Sequence, residues 1–80
     1  MKNMEKYTQV FVEMFGKSAD EVKNLHYQDI IEWDSVGHMT LMSGLEDTFD
    51  IMMETDDIID FDSYEKGIEI LKKYNVDFGS

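Results

Sequence analysis

From about Lys2 to Phe15 the apolar residues Met4, Tyr7, Phe11 and Met14, flanked by Val10 and Phe15, recur at spacings of three and four. That period lays them along one side of an α-helix and predicts one buried face. Gly16 ends the pattern by tolerating the left-handed conformation that closes helices, and Ser18-Ala19-Asp20-Glu21 has the form of a capping box opening a brief helical turn. The connection that follows has no helical period. Its apolar residues Val22, Leu25, Tyr27, Ile30 and Ile31 are expected to pin it across the helix ends, because a loop this long needs its own anchors. The helical period returns over about Val36 to Phe49. There Leu41, Leu45 and Phe49 stack on one side with Met42 beside them, while Val36, Thr40, Ser43, Asp47 and Asp50 form a stripe on the other. The first set is expected in the core and the second in solvent. Gly37 and Gly44 each lower helix propensity by roughly 1 kcal/mol relative to alanine, so tertiary packing must hold this helix; Gly44 is a place where a neighbouring backbone could approach.

Thr55 or Asp56 is placed to cap a short third helix carrying Ile58, Ile59 and Phe61, and Asp62-Ser63-Tyr64-Glu65 to cap a last one. The last helix takes its apolar face from Tyr64, Ile68, Ile70 and Leu71, with Tyr74 near its end. Lys72 and Lys73 complement its negative terminus. The expected fold class is all-α: a small four-helix bundle with a short third helix, one domain over residues 1–80, frayed over 1–3 and 76–80.

Composition narrows what such a bundle could do. Seven lysines and no arginine stand against 18 acidic residues, a formal charge of −11 with histidine neutral, and no lysine occurs between Lys23 and Lys66. A field of that sign repels nucleic acid and anionic membrane and steers toward basic protein surfaces. Without cysteine there is no disulfide framework and no thiolate metal site, and no apolar run approaches membrane-spanning length. A cytoplasmic monomer is the expectation. The apolar share of 42% argues for a folded chain despite the charge.

The candidate chemistry sits at Asp34-Ser35-Val36, where the second long helix begins. Backbone N–H groups of a first helical turn lack intrahelical partners and the macrodipole is positive there, so an anion attached to Ser35 is stabilised. The alternative is an ordinary N-cap, since both Asp and Ser are favoured caps. Ser35 has no plausible nucleophilic partners: His38, three residues on, lacks the orienting group and oxyanion hole that a hydrolase needs, and His26 is the only other histidine. Catalysis by this chain is therefore not expected, and Ser35 reads as a substrate. His38 reads as a solvated or partly packed helix residue. The acidic run Glu54-Thr55-Asp56-Asp57, continuing to Asp60 and Asp62, lacks the ligand spacing of a calcium loop and reads as a solvated face with no metal site. Beside Ser35, the carboxylates of Asp34, Glu46, Asp47 and Asp50 with exposed Val36 and Met39 form a candidate recognition surface for a basic partner with an apolar dimple. Met39, Met42, Met52 and Met53 are flexible enough to let the core open around an apolar chain, or simply fill it.

Asp34-Ser35-Val36 resembles the Asp-Ser-Leu motif of acyl carrier proteins, and Leu41-Met42, Leu45-Glu46-Asp47 and Phe49-Asp50-Ile51 follow that family's second helix without a gap. The resemblance covers nearly all of the chain. It implies a 4'-phosphopantetheine arm on Ser35, loaded by a phosphopantetheinyl transferase, and a helix presented to acyl-transfer, synthase or adenylating enzymes. Met52 and Met53 depart from the β-branched residues expected after Ile51, which puts sequestration of a long acyl chain in doubt. Trp33 before the motif and Gly37-His38 after it look more like stand-alone carriers of specialised pathways than like the housekeeping fatty-acid carrier. An aminoacyl or peptidyl carrier serving an adenylating enzyme therefore stands beside a fatty-acid or polyketide carrier. An unmodified acidic interaction module, with Ser35 only a cap, is the more distant alternative.

Overall fold

The computed structural model describes residues 2–79. Among the described residues five helices follow in order: α1 Asn3–Phe15, α2 Ala19–Val22, α3 Ser35–Phe49, α4 Thr55–Asp60 and α5 Tyr64–Lys72. Among the described residues there is no strand, only an isolated antiparallel bridge between His26 and Ser63. The fold is an all-α bundle of the expected order, with α2 the brief turn between the first two long helices. None of these helices is long and apolar enough to cross a membrane.

Local signals act where the sequence placed them. Gly16 closes α1 with φ 65°, its N–H reaching the Val12 carbonyl. The Ser18 hydroxyl accepts from Glu21 N–H while Glu21 accepts from Ser18 N–H, the reciprocal pair of a capping box. Ser63 caps α5 by accepting from Lys66 N–H at 3.0 Å. At α4 the expectation fails: Glu54, not Thr55 or Asp56, is the N-cap, and its side chain makes no capping bond. The backbone N–H of Glu54 is satisfied instead by the Tyr74 hydroxyl at 2.9 Å.

Aromatic rings dominate the core. Tyr7, Phe11 and Phe15 from α1 meet Trp33, Phe61 and Tyr64, and Leu41, Met42, Leu45 and Leu71 complete the packing. The buried face of α1 is rotated from the expected one: Val10 and Phe15 point inward, Met14 is exposed and Met4 is half-buried. Gly44 explains part of this, because a Cβ there would lie 3.1 Å from Met14 Cε and 3.2 Å from Val10 Cγ1. The glycine makes room for side chains of α1 rather than for its backbone.

The connection from α2 to α3 is anchored by Val22, Leu25, Tyr27 and Ile30, but Ile31, expected among the anchors, is 91% exposed. Backbone bonds do the rest: Tyr27 N–H donates to the Asp62 carbonyl at 2.8 Å and Tyr64 N–H to that of Leu25 at 3.0 Å. They fasten the loop to the α4–α5 junction. The segment after α5, expected to fray, packs instead. Val76 is buried, Phe78 meets Tyr7 edge-on with centroids 5.5 Å apart, and Asn3 donates to the Asp77 carbonyl. Phe49, expected in the core, is half-buried against Phe78. Met1 and Ser80, in the termini expected to fray, lie outside the described residues.

Candidate functional site

Ser35 is the first residue of α3, and Asp34 is its N-cap. The Asp34 backbone is extended and its carboxylate accepts from Gly37 N–H at 2.8 Å, which satisfies one orphan donor of the first turn. Capping is therefore the work of Asp34, and the Ser35 hydroxyl is not spent on it. It lies exposed, 3.3 Å from the hydroxyl of Tyr27. Gly37 is needed for a steric reason as well: a Cβ there would fall 1.9 Å from the Glu32 carbonyl oxygen. Only glycine lets the incoming loop lie so close against the turn that presents the serine.

Beneath that turn, Trp33 is fully buried between Phe15, stacked at 5.4 Å, and Phe11, edge-on at 5.7 Å. Its indole Nε1–H donates to His38 Nδ1 at 3.0 Å. Because an indole nitrogen can only donate, Nδ1 is the acceptor, and the other ring nitrogen carries the hydrogen. His38 Nε2–H therefore donates to the Ile58 carbonyl in α4 at 2.8 Å. Sequence reasoning read His38 as a helix residue without special chemistry. The structure makes it the polar bridge between α3 and α4; the signal that could have found it is a histidine five residues after a tryptophan across a loop-to-helix junction.

Next to Ser35 opens a cleft of about 330 Å³, with Tyr27 beside the serine, Met39, Ile58 and Ile59 as apolar sides, and His38, Phe61 and Asp62 completing it. Tyr27 is held for its place at this cleft by ring contacts to Trp33 and His38 and by its backbone bond to Asp62. Tyr27 and Ile59 were not among the expected site residues; Ile59 is 71% exposed.

The proposed recognition residues divide. Val36 and Met39 are exposed next to Ser35, and Met39 lines the cleft with Ile59. Asp47 and Asp50 are exposed on the same side of α3 as Val36, but Asp47 is twelve residues beyond Ser35, about 18 Å along the axis at ~1.5 Å per residue. Asp50 closes the helix in the left-handed conformation, φ 53°. Glu46 does not join that stripe. It is half-buried, and its carboxylate accepts from Met53 N–H at 2.8 Å, holding the α3–α4 loop. Among the described residues no group of acidic, histidine or cysteine side chains is arranged to hold a metal ion.

On the far side of α4 the acidic run hides a second structural site. Asp57, expected in a solvated face, is buried and accepts from both Lys73 Nζ and the Tyr74 hydroxyl. Those two hydrogen bonds, Lys73 first, hold its carboxyl below the usual carboxylate range, and the same contact raises Lys73 above the usual lysine value.

No protein-family model matches the chain, and no solved structure does. An acyl carrier protein from Streptococcus thermophilus (strain CNRZ 1066) is 39% identical over 57 residues, which span 71% of this chain and 77% of that protein. Helix order, the exposed serine opening α3 and this relative agree, and the chain belongs to the acyl carrier protein family.

Proposed function

We propose that Ser35 is the attachment site of a 4'-phosphopantetheine arm and that the chain is a discrete carrier of acyl groups. The observation that carries this reading is the division of labour at the start of α3: Asp34 caps the helix, leaving an exposed Ser35 hydroxyl beside a cleft. The residues present fit a phosphodiester there. The first-turn N–H groups and the positive end of the α3 macrodipole favour an anion, and the Tyr27 hydroxyl is within reach as a donor.

In the loading step, Ser35 Oγ attacks the phosphorus nearer the pantetheine in coenzyme A. One P–O bond of the pyrophosphate breaks, adenosine 3',5'-bisphosphate leaves, and the hydroxyl proton passes to a base of the transferase. Attached, the arm supplies the thiol that this cysteine-free chain lacks, on which acyl cargo is held as a thioester. The chain's own part is to present the serine on a fixed turn, offer Met39 and Ile59 as apolar contact, and address partners. A net charge of −11, with Asp47 and Asp50 exposed along α3, suits enzymes with basic docking surfaces, and a tethered cargo gains effective concentration once docked.

Intact mass after incubation with a broad-specificity transferase and coenzyme A tests the reading. The wild type should gain one phosphopantetheine and Ser35→Ala none. A wild type that stays unmodified in the presence of an active transferase would overturn it.

A further inference from the structure

The cleft beside Ser35 is closed at its inner end. We infer that this closure limits the carrier to sheltering a short acyl group, with His38 the residue that sets the depth; the inference rests on the reading of Ser35 as the attachment site.

Two residues form the barrier. Phe61 is almost fully buried, its ring stacked on Phe11 with centroids 6.3 Å apart. Behind it a Cβ on Gly67 would lie 2.1 Å from Phe61 Cζ, so the ring has no slack in which to retreat. His38 spans the remaining gap between α3 and α4, stacked against Trp33 at 16° between planes and bonded through both ring nitrogens.

A hydrocarbon chain entering between these helices must displace the imidazole. That would leave the Trp33 indole N–H and the Ile58 carbonyl without partners, the first of them in a wholly buried side chain that water does not reach. A hydrocarbon offers neither donor nor acceptor to replace the histidine. Among the described residues every buried side-chain nitrogen and oxygen is hydrogen-bonded, so this displacement would create a defect that the folded chain otherwise avoids.

Outside the barrier the surface is different. Met39 and Ile59 are exposed and apolar, and a flexible methionine adjusts to the shape of what lies against it. Cargo of a few carbons can be covered there. A longer chain gains contact only up to His38 and then continues into solvent.

The test compares cargo lengths on the folded carrier. Acetyl-, hexanoyl- and palmitoyl-coenzyme A are used with a promiscuous transferase to load Ser35, and each product is verified by mass. Thioester cleavage by hydroxylamine is then timed in buffer and in urea, the unfolded rate serving as reference for each length, alongside thermal melts. Palmitoyl and hexanoyl forms should show protection within about twofold of each other, since protection reports burial, and their melting temperatures should coincide. In His38→Leu, palmitoyl should become several-fold better protected than hexanoyl; if that variant does not fold, the wild-type series decides alone. Wild-type palmitoyl cargo protected many-fold beyond hexanoyl, with melting temperature rising with length, would overturn the depth limit while leaving the attachment site intact. Failure of any acyl arm to appear in the mass would instead refute the reading of Ser35, and the depth limit with it.

Discussion

Helix α4 is tied down on two sides by different physics. Toward α3, the His38–Ile58 and Trp33–His38 bonds join neutral groups over a buried indole. Toward α5, Asp57 is gripped by Lys73 and Tyr74, a charged clasp in which the lysine side chain is mostly exposed. The neutral bonds are directional and insensitive to salt, whereas the clasp carries charge and responds to the protonation of Asp57. The side of α4 facing Ser35 is thus fixed in shape, and the side facing away is fixed by charge. That difference separates the effects of mutation, pH and salt.

Breaking the neutral side should cost most. Trp33→Ala removes the largest buried side chain and should destabilise by about 3–5 kcal/mol, a large share of the ~5–15 kcal/mol typical of a small domain. Leu45→Ala should cost about 2–5 kcal/mol, and Phe49→Ala distinctly less because that ring is half-buried. Urea melts check all three, and equal losses for Leu45→Ala and Phe49→Ala would contradict the packing described. Trp33→Phe keeps a ring beside Phe15 but removes the donor to His38, and should lose roughly 1–3 kcal/mol.

Breaking the charged side should cost less and depend on pH. Because Asp57 titrates below the usual range in the folded state, its contribution is present above the ordinary carboxylate value and is lost as pH falls through the folded one. Melts taken from neutral pH down through the acid range should therefore draw together for wild type, Lys73→Met and Tyr74→Phe, after differing at neutrality. Parallel curves across that range would show that the clasp is not the source. The Trp33→Phe deficit, by contrast, does not run through Asp57 and should add to that of Tyr74→Phe in the double variant at neutral pH.

The smallest effects concern docking. If exposed acids on α3 steer Ser35 toward a basic partner, loading by the transferase should slow as salt rises, because exposed charges are screened over a Debye length of ~10 Å at 0.1 M. Asp47→Lys should weaken that salt dependence more than Glu13→Lys on α1, with melts confirming both are folded. Equal changes would assign the effect to net charge alone. Glu46→Gln should act through the Met53 N–H contact, lowering stability slightly rather than altering salt dependence.

What could be read from sequence follows the range of the interactions. Gly16, the Ser18–Glu21 pair and Ser63 act within three or four residues, so their roles and the helix starts they mark were legible. So was the exposed side of α3, because helical period alone sets it. Ile31 was not, since a loop has no period to say which way a side chain points. Asp57 was misread as solvated because its neighbours are acidic and its partners lie sixteen and seventeen residues away. Tyr27 and His38 were missed for the same reason: they reach Ser35 and Ile58 only after the loop has folded back onto α4 and α5. The Asp34-Ser35-Val36 motif is local and its cap could be anticipated, whereas the cleft beside it exists only in three dimensions.

The claim at the centre is chemical and concerns one oxygen atom. Tandem mass spectrometry on peptides of the transferase-treated wild type locates the added arm among Ser18, Ser35, Ser43, Ser63 and Ser80. The account predicts phosphopantetheine on the fragment containing Ser35 and on no other. An arm found on a different serine, or persisting on Ser35→Ala, would contradict it.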